Sequence, residues 1–171
     1  MFRIHNTLTG IIEEFQPLEG EKVKMYACGP TVWNYTHLGN FRTFVFDDVL
    51  RRYLKFKGYD VTHVMNLTDV DDRIFSTAAR LKVAPEDLTG QFIKAFWEDL
   101  ESLNCERPEI APLAGDHIAE MISLIENLVA KDCAYISEGS VYYRIASFPE
   151  YGKLSNLKSE NLAGSCERID T

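Results

Sequence analysis

The stretch from Lys22 to Asn66 constrains this chain more than any other. Lys22 to Ala27 reads as a short strand that breaks at Cys28-Gly29-Pro30. Asn40 to Lys57 reads as a helix. Phe41, Val45, Val49 and Tyr53 fall at four-residue spacing with Phe46, Leu50 and Leu54 beside them, which predicts one apolar face. Lys55 and Lys57 occupy its last turn, and Gly58 suits the position just past it. Asp60 to Asn66 reads as a second strand. Strand, helix and strand in succession form a βαβ unit, which predicts a parallel core sheet with a right-handed crossover. The fold class is therefore α/β.

Other segments fill in around this unit. Residues 2 to 16 alternate loosely around Thr9-Gly10 and suit a small hairpin. Thr68-x-x-Asp71 reads as a capping box opening a helix to about Lys82, with the carboxylates of Asp69, Asp71 and Asp72 in its first turn. Pro85-Glu86-Asp87 starts another helix, with Leu88, Phe92, Phe96, Leu100 and Leu103 as its stripe. A further helix is expected from Asp116 to Lys131, with Ile118, Met121, Ile122, Ile125 and Val129 inward. Ala134 to Ile136 and Val141 to Ile145 suggest a hairpin around Glu138-Gly139, and the tail from Ser147 is polar and weakly patterned.

Composition narrows the function classes. With 18 Lys and Arg against 26 Asp and Glu the net charge is −8, which disfavours an autonomous nucleic-acid binder, because such binding rests on cationic contacts to phosphate. Cys28, Cys105, Cys133 and Cys166 stand far apart with no CxxC pair, which reads as a reducing compartment rather than a disulfide framework. There is no apolar run of about 18 residues, the length that reads as a transmembrane helix. The N-terminal residues carry neither a secretory nor a transit pattern. Length, at roughly 150 residues per domain, allows one domain or one and part of a second.

The residues joining the first strand to the first long helix carry the most chemistry. Beyond the carboxyl ends of parallel strands lies the crevice where α/β proteins bind ligands, and a helix N-terminus there favours phosphate. His37 and Gly39 sit at that N-terminus, in neither a Walker loop nor a GxGxxG pattern. A tight turn with a satisfied histidine remains open beside nucleotide binding. Cys28 at a strand end reads either as a small buried hydrophobe or as one thiolate ligand to zinc. His5, His37, His63 and His117 show no ligand spacing with the cysteines, so spacing names no metal. Thr68 and Asp69, at the end of the second strand, either support the next helix or receive a polar substrate. Trp33 and Tyr35, like Phe92 and Phe96, read as core or pocket wall.

Three segments in order, Met25-Tyr-Ala-Cys-Gly-Pro-Thr-Val, Tyr35-Thr-His-Leu-Gly-Asn-Phe-Arg-Thr and Val64-Met-Asn-Leu-Thr-Asp-Val-Asp-Asp, together resemble the N-terminal half of the catalytic domain of cysteinyl-tRNA synthetases. Asn6-Thr-Leu-Thr and Ile118-Ala-Glu-Met-Ile fit as well. The resemblance implies the first half of a Rossmann-type class I catalytic domain over residues 1–110. Residues 111–171 would then be the helical and hairpin start of an inserted region. It implies ATP-dependent activation of L-cysteine to cysteinyl adenylate and transfer to the 3′ end of a cysteine tRNA, by a cytoplasmic, monomeric enzyme with magnesium accompanying ATP. His37-Leu38-Gly39-Asn40 matches the HIGH motif, with Leu for Ile and Asn for the final His. It implies ATP contacts for all four residues and transition-state stabilisation by His37 and Asn40. Cys28 matches the first ligand of a zinc ion that binds the substrate thiolate. Gly29 and Thr68 match positions that hold the amino acid, and Asp69 stands beside them. No membrane or DNA partner is implied.

The family's remaining zinc ligands, its KMSKS loop and its anticodon-binding region fall beyond Thr171. The expectation is therefore a truncated piece that neither holds zinc tightly nor activates cysteine alone, with an open sheet edge and an uncovered apolar face. Three other readings stay open: a ligase joining cysteine to an amino sugar in mycothiol synthesis, a non-catalytic nucleotide-binding module, and a generic α/β domain.

Overall fold

The computed structural model describes residues 2–155. They fall into two compact units, one drawn from Met1–Gln16 with Ala119–Thr171, the other Pro17–Ile118. In the first, β1 (Arg3–Asn6) and β2 (Ile11–Glu14) form the expected antiparallel hairpin, with Gly10 turning at φ +73°.

The second unit is the α/β core. β3 (Lys22–Ala27) leads through the Cys28 turn into α1 (Leu38–Phe56), and β4 (Asp60–Met65) returns parallel to β3, in register from Lys22↔Asp60 to Ala27↔Met65. The βαβ unit is thus as the sequence predicts. On the other flank of β4, residues 110–113 run parallel to it. The Met65 and Leu67 N–H groups donate to the Ile110 and Pro112 carbonyls at 3.0 and 2.9 Å. Pro112 has no N–H to give a ladder, so this segment pairs through isolated bridges and not as a continuous strand.

The buried face of α1 keeps Phe41 and Leu54 of the predicted one, with Leu50 half-buried, but is rotated away from the rest. Phe41, Phe44, Asp48, Arg51 and Leu54 face inward, while Val45, Phe46, Val49 and Tyr53 are 37–60% exposed. Two charged residues replace apolar ones on the inner face because they grip a loop. The Asp48 carboxylate accepts from the Glu106 N–H at 3.0 Å. The Arg51 guanidinium donates to the Arg107 carbonyl at 2.8 Å and to Glu109 Oε1 at 2.6 Å. Glu109 Oε2 in turn accepts from the His63 N–H of β4 at 2.8 Å. A hydrophobicity count cannot see a buried charge that has its partners in place. This network fastens the segment that carries 110–113 beside β4.

After β4 the chain runs extended until Asp71 caps α2 (Asp72–Leu81), its carboxylate accepting from the Arg73 N–H at 3.0 Å. The cap is therefore Asp71 rather than Thr68, and of the three carboxylates only Asp72 lies in the first turn. Asp69 precedes the helix and instead accepts from the Gly115 N–H at 2.7 Å. Thr68 is drawn away because it pairs in parallel with Thr31. α3 (Pro85–Ser102) buries Leu88, Phe96 and Leu100 as predicted, with Phe92 packed at the edge of the cluster and Leu103 exposed. Phe96 stacks on Phe41 and meets Phe44 edge-on in the main core with Met65, Leu67 and Leu100.

Beyond Ile118 the first unit resumes with α4 (Ile118–Ala130). The predicted inward stripe is not buried: Ile118, Met121, Ile122 and Ile125 stay 40–52% exposed, with only Val129 half-covered. Periodicity aligns side chains on one face, but burial needs an opposing surface, and among the described residues no strand packs broadly against α4. β5 (Ala134–Ser137) and β6 (Ser140–Tyr143) then form the expected hairpin, with Glu138 and Gly139 both at positive φ (50° and 83°). No helix among the described residues is long and apolar enough to cross a membrane.

Candidate active site

At the carboxyl ends of β3 and β4 lies a cleft of about 600 Å³. It is lined by Cys28, Gly29 and Pro30 from the β3 exit, by Trp33 to His37 from the following loop, by Asn40, Thr43 and Phe44 of α1, and by Arg73 of α2. The position is the one a parallel sheet dictates, since both strand exits and a helix N-terminus converge there.

His37 caps α1. Its backbone is extended and its Nδ1 accepts from the Gly39 N–H at 3.0 Å. Because Nδ1 is the acceptor, the proton of a neutral ring sits on Nε2, which leaves Nε2–H as a donor in a residue that lines the cleft. Gly39 leaves room for this cap, since a Cβ there would sit 3.1 Å from His37 Nδ1 and the ring would have to yield by a few tenths of an ångström. The first turn of α1 carries no acidic residue to compete for its positive end. The backbone N–H groups of Gly39 and Asn40 are both engaged by His37, the latter through the His37 carbonyl at 2.8 Å. Two backbone N–H groups at this helix entry are thus spent on the cap, while the His37 ring and the Asn40 side chain line the cleft.

Cys28 is exposed, which sets aside its reading as a buried hydrophobe; its thiol contacts the Gly29 carbonyl at 3.7 Å. Gly29 is constrained by space: a Cβ would lie 1.8 Å from the Asn66 carbonyl oxygen. Thr68 and Asp69 stand at the β4 exit but outside the cleft lining, with the Thr68 hydroxyl accepting from Asn66 Nδ2 at 3.0 Å. Leu38 and Gly39 also lie outside it. Cys28, Gly29, His37 and Asn40 are brought together; Thr68 and Asp69 flank them.

Two neighbours escaped the sequence reading. Asn66 ties the two strand exits with its side chain. Arg73 lies over the Trp33 ring at 5.4 Å, and its Nε and Nη2 fork onto Asp71 at 2.8 and 3.2 Å. Hydrogen bonding from Arg73 holds the Asp71 carboxyl below the usual carboxylate range. The signal for Arg73 was its position in the first turn after the β4 exit, where a cation faces the crevice.

The metal reading meets a limit in the donor set. Among the described residues no group of three or more His, Cys, Asp or Glu is placed to hold an ion. Cys28 offers one soft thiol at the cleft, short of the three or four protein ligands zinc takes. Cys166 lies outside the described residues.

A parallel strand pair joined through a helix, with a cleft past the first strand's carboxyl end, is the arrangement of an α/β domain of the doubly wound kind. Residues 14–170 match the family described as tRNA synthetases class I (C) catalytic domain, and the chain belongs to it. Similar proteins carry the name cysteine–tRNA ligase. That of Koribacter versatilis (strain Ellin345) is 56% identical over 153 residues, 89% of this chain and 31% of its own length. That of Lactococcus lactis subsp. cremoris (strain MG1363) is 46% identical over 169 residues, 98% of this chain and 38% of its own. That of Pyrococcus furiosus (strain ATCC 43587 / DSM 3638 / JCM 8422 / Vc1) is 48% identical over 162 residues, 95% and 34%. The chain thus spans about a third of the length of the curated relatives it matches.

Proposed function

We propose that this chain forms the first part of the active site of a cytoplasmic, monomeric cysteine–tRNA ligase. The enzyme activates L-cysteine with magnesium-bound ATP and passes the cysteinyl group to the 3′ end of its tRNA. The observation that carries the reading is the histidine cap: His37 Nδ1 is committed to Gly39, so its Nε2–H is left to donate in the cleft beside Asn40. In adenylate formation a substrate carboxylate oxygen attacks the α-phosphorus and pyrophosphate leaves, so no protein nucleophile is needed. His37 Nε2 and the Asn40 amide donate to phosphate oxygens as charge builds there, while Leu38 and Gly39 hold the helix entry against ATP. Stabilisation and positioning account for the rate.

Gly29, Thr68 and Asp69 form the cysteine side of the site, with Asp69 acting from the anchored Gly115 turn. Cys28 supplies one thiolate ligand of a zinc ion whose other ligands come from outside the described residues. Zinc, when bound there, favours a thiolate over a hydroxyl and so selects cysteine against serine.

The test is cysteine-dependent exchange of pyrophosphate into ATP by the native polypeptide that carries this chain. Exchange that requires cysteine and is lost in His37→Ala supports the reading. Exchange driven equally by other amino acids, or transfer to an amino sugar instead of tRNA, overturns it. The 171-residue chain alone is expected to show no exchange and no stoichiometric zinc after dialysis.

A further inference from the structure

Asn66 stands one residue past the end of β4 and is half-buried. Its side chain makes three hydrogen bonds that tie the β3 exit to the β4 exit beside the cleft. Tyr26 Oη donates to Oδ1 at 2.8 Å, the Gly29 N–H donates to the same oxygen at 3.3 Å, and Nδ2 donates to Thr68 Oγ1 at 3.0 Å. The amide orientation is forced. A backbone N–H can only donate, so the oxygen faces Gly29 and the NH₂ faces Thr68. The backbone carbonyl of the same residue fills the space that a side chain on Gly29 would need.

We infer that Asn66 is a positioning residue for cysteine recognition, acting through Gly29 on one strand exit and Thr68 on the other. The inference rests on the proposed function, since it assigns Asn66 a role in that same site. Two physical consequences follow from the geometry. A trans peptide is planar, so turning the Gly29 N–H toward β4 points the Cys28 carbonyl the opposite way and fixes the angle at which the Cys28 side chain leaves the turn. Thr68 spends a lone pair on Asn66 and keeps its own proton, so its hydroxyl is free to donate to a ligand acceptor such as a carboxylate or carbonyl oxygen. One amide therefore sets both the placement of the thiol and the polarity of the hydroxyl. Displacements of about 1 Å at such a site cost roughly 100-fold in rate.

The experiment compares Asn66→Asp, Asn66→Ala and Tyr26→Phe in the native polypeptide that carries this chain. Aspartate keeps an acceptor for Gly29 and Tyr26 but takes the Thr68 proton, reversing that hydroxyl. Asn66→Asp is expected to raise KM for cysteine about 10-fold, the loss of one good hydrogen bond, and to lower the preference for cysteine over serine. KM for ATP stays within about twofold by the same reasoning, because no ATP contact changes. Tyr26→Phe, which removes one of the two donors to Oδ1, is expected to raise KM for cysteine less than Asn66→Asp does and to leave KM for ATP within about twofold. Hydrogen exchange at the Gly29 amide, read by NMR, quickens in Asn66→Ala and not in Asn66→Asp.

Equal rises in both KM values, or a lowered Tm with unchanged kinetics, would reduce Asn66 to a structural residue and overturn the inference. Unchanged Gly29 exchange in Asn66→Ala would overturn it too. A wild-type protein that gives no cysteine-dependent exchange, while Gly29 exchange still responds, locates the failure in the function reading and removes the specificity role with it.

Discussion

Two polar clusters lie in the Pro17–Ile118 unit, and they are built on opposite principles. The cleft cluster, Cys28, Gly29, His37 and Asn40, is open, with Cys28, His37 and Asn40 exposed and hydrogen-bonding capacity to spare. The seam cluster lies between α1, β4 and the 104–109 loop. Its members Asp48, Arg51 and His63 are 2–7% exposed, and the Asp48 carboxylate and the Arg51 Nη groups are spent on the loop, while Arg51 Nε and the His63 ring stay buried without a hydrogen-bond partner among the described residues. Arg52 and Lys55 extend the seam, the first onto Asp48 at 2.7 Å and the second onto Glu109 at 3.0 Å. Unspent polar groups at a crevice can act on a ligand. Spent ones hold a loop. The difference predicts that variants of the seam change stability and variants of the cleft change chemistry.

The sharpest break would come from Arg51. Arg51→Met takes the buried donor from the Arg107 carbonyl and one of three donors from Glu109, which keeps Lys55 and the His63 N–H, and the expected loss is about 2–3 kcal/mol in denaturant unfolding. A loss below about 1 kcal/mol, the value of a surface pair, would show that the seam is not closed to water. His37→Ala is expected to do the reverse. It lowers exchange by about 10²–10³-fold, the cost of one transition-state donor, while Tm barely moves. A variant with full activity would show that His37 gives the transition state no donor.

Gly29→Ala tests the border between the two behaviours. Its Cβ would lie 1.8 Å from the Asn66 carbonyl, so the turn must shift. The expected cost is about 1–3 kcal/mol together with reduced exchange, measured on one preparation. Normal stability and normal activity together would contradict the crowding seen there.

The smallest expected effect is a pH dependence, and it belongs to the seam. Burial, then the Arg51 charge, lowers the His63 pKa from its ordinary 6.5. Among the described residues, neither His63 ring nitrogen nor Arg51 Nε has a hydrogen-bond partner. The unfolded chain therefore takes up more protons than the folded one as pH falls below 6.5, and stability declines through that window. Burial alone would raise Glu109, but hydrogen bonds from the His63 backbone and the Lys55 ammonium, with the Arg51 charge, outweigh it and bring the carboxyl to about 2. Its contribution is present above 4.5 and is lost as pH falls toward about 2. Urea midpoints measured from pH 8 to pH 3 should fall in both windows, and His63→Phe should flatten the upper one. A midpoint that rises on acidification would reverse the assigned sign.

Much of this was legible in the chain itself. The succession of strand, helix and strand from Lys22 to Asn66, with its breaks and the four-residue spacing of the helix, specified a parallel βαβ unit because these signals reflect local backbone geometry. The Cys28 turn and the His37 cap were legible because a crevice beyond parallel strands and a helix N-terminus are consequences of that unit. What remained hidden depended on partners distant in sequence. Which face of α1 turns inward was decided by ion pairs to residues more than fifty positions away, as Arg51 reaches Arg107 and Glu109. The apolar stripe of α4 was equally clear in sequence, and it stayed exposed because a stripe contains no information about what packs on it. Asn66 looked like any residue at the end of a strand. Only the folded backbone brings Tyr26 and Gly29, about forty positions earlier, within reach of its amide, because hydrogen bonds select by distance and angle and the sequence records neither.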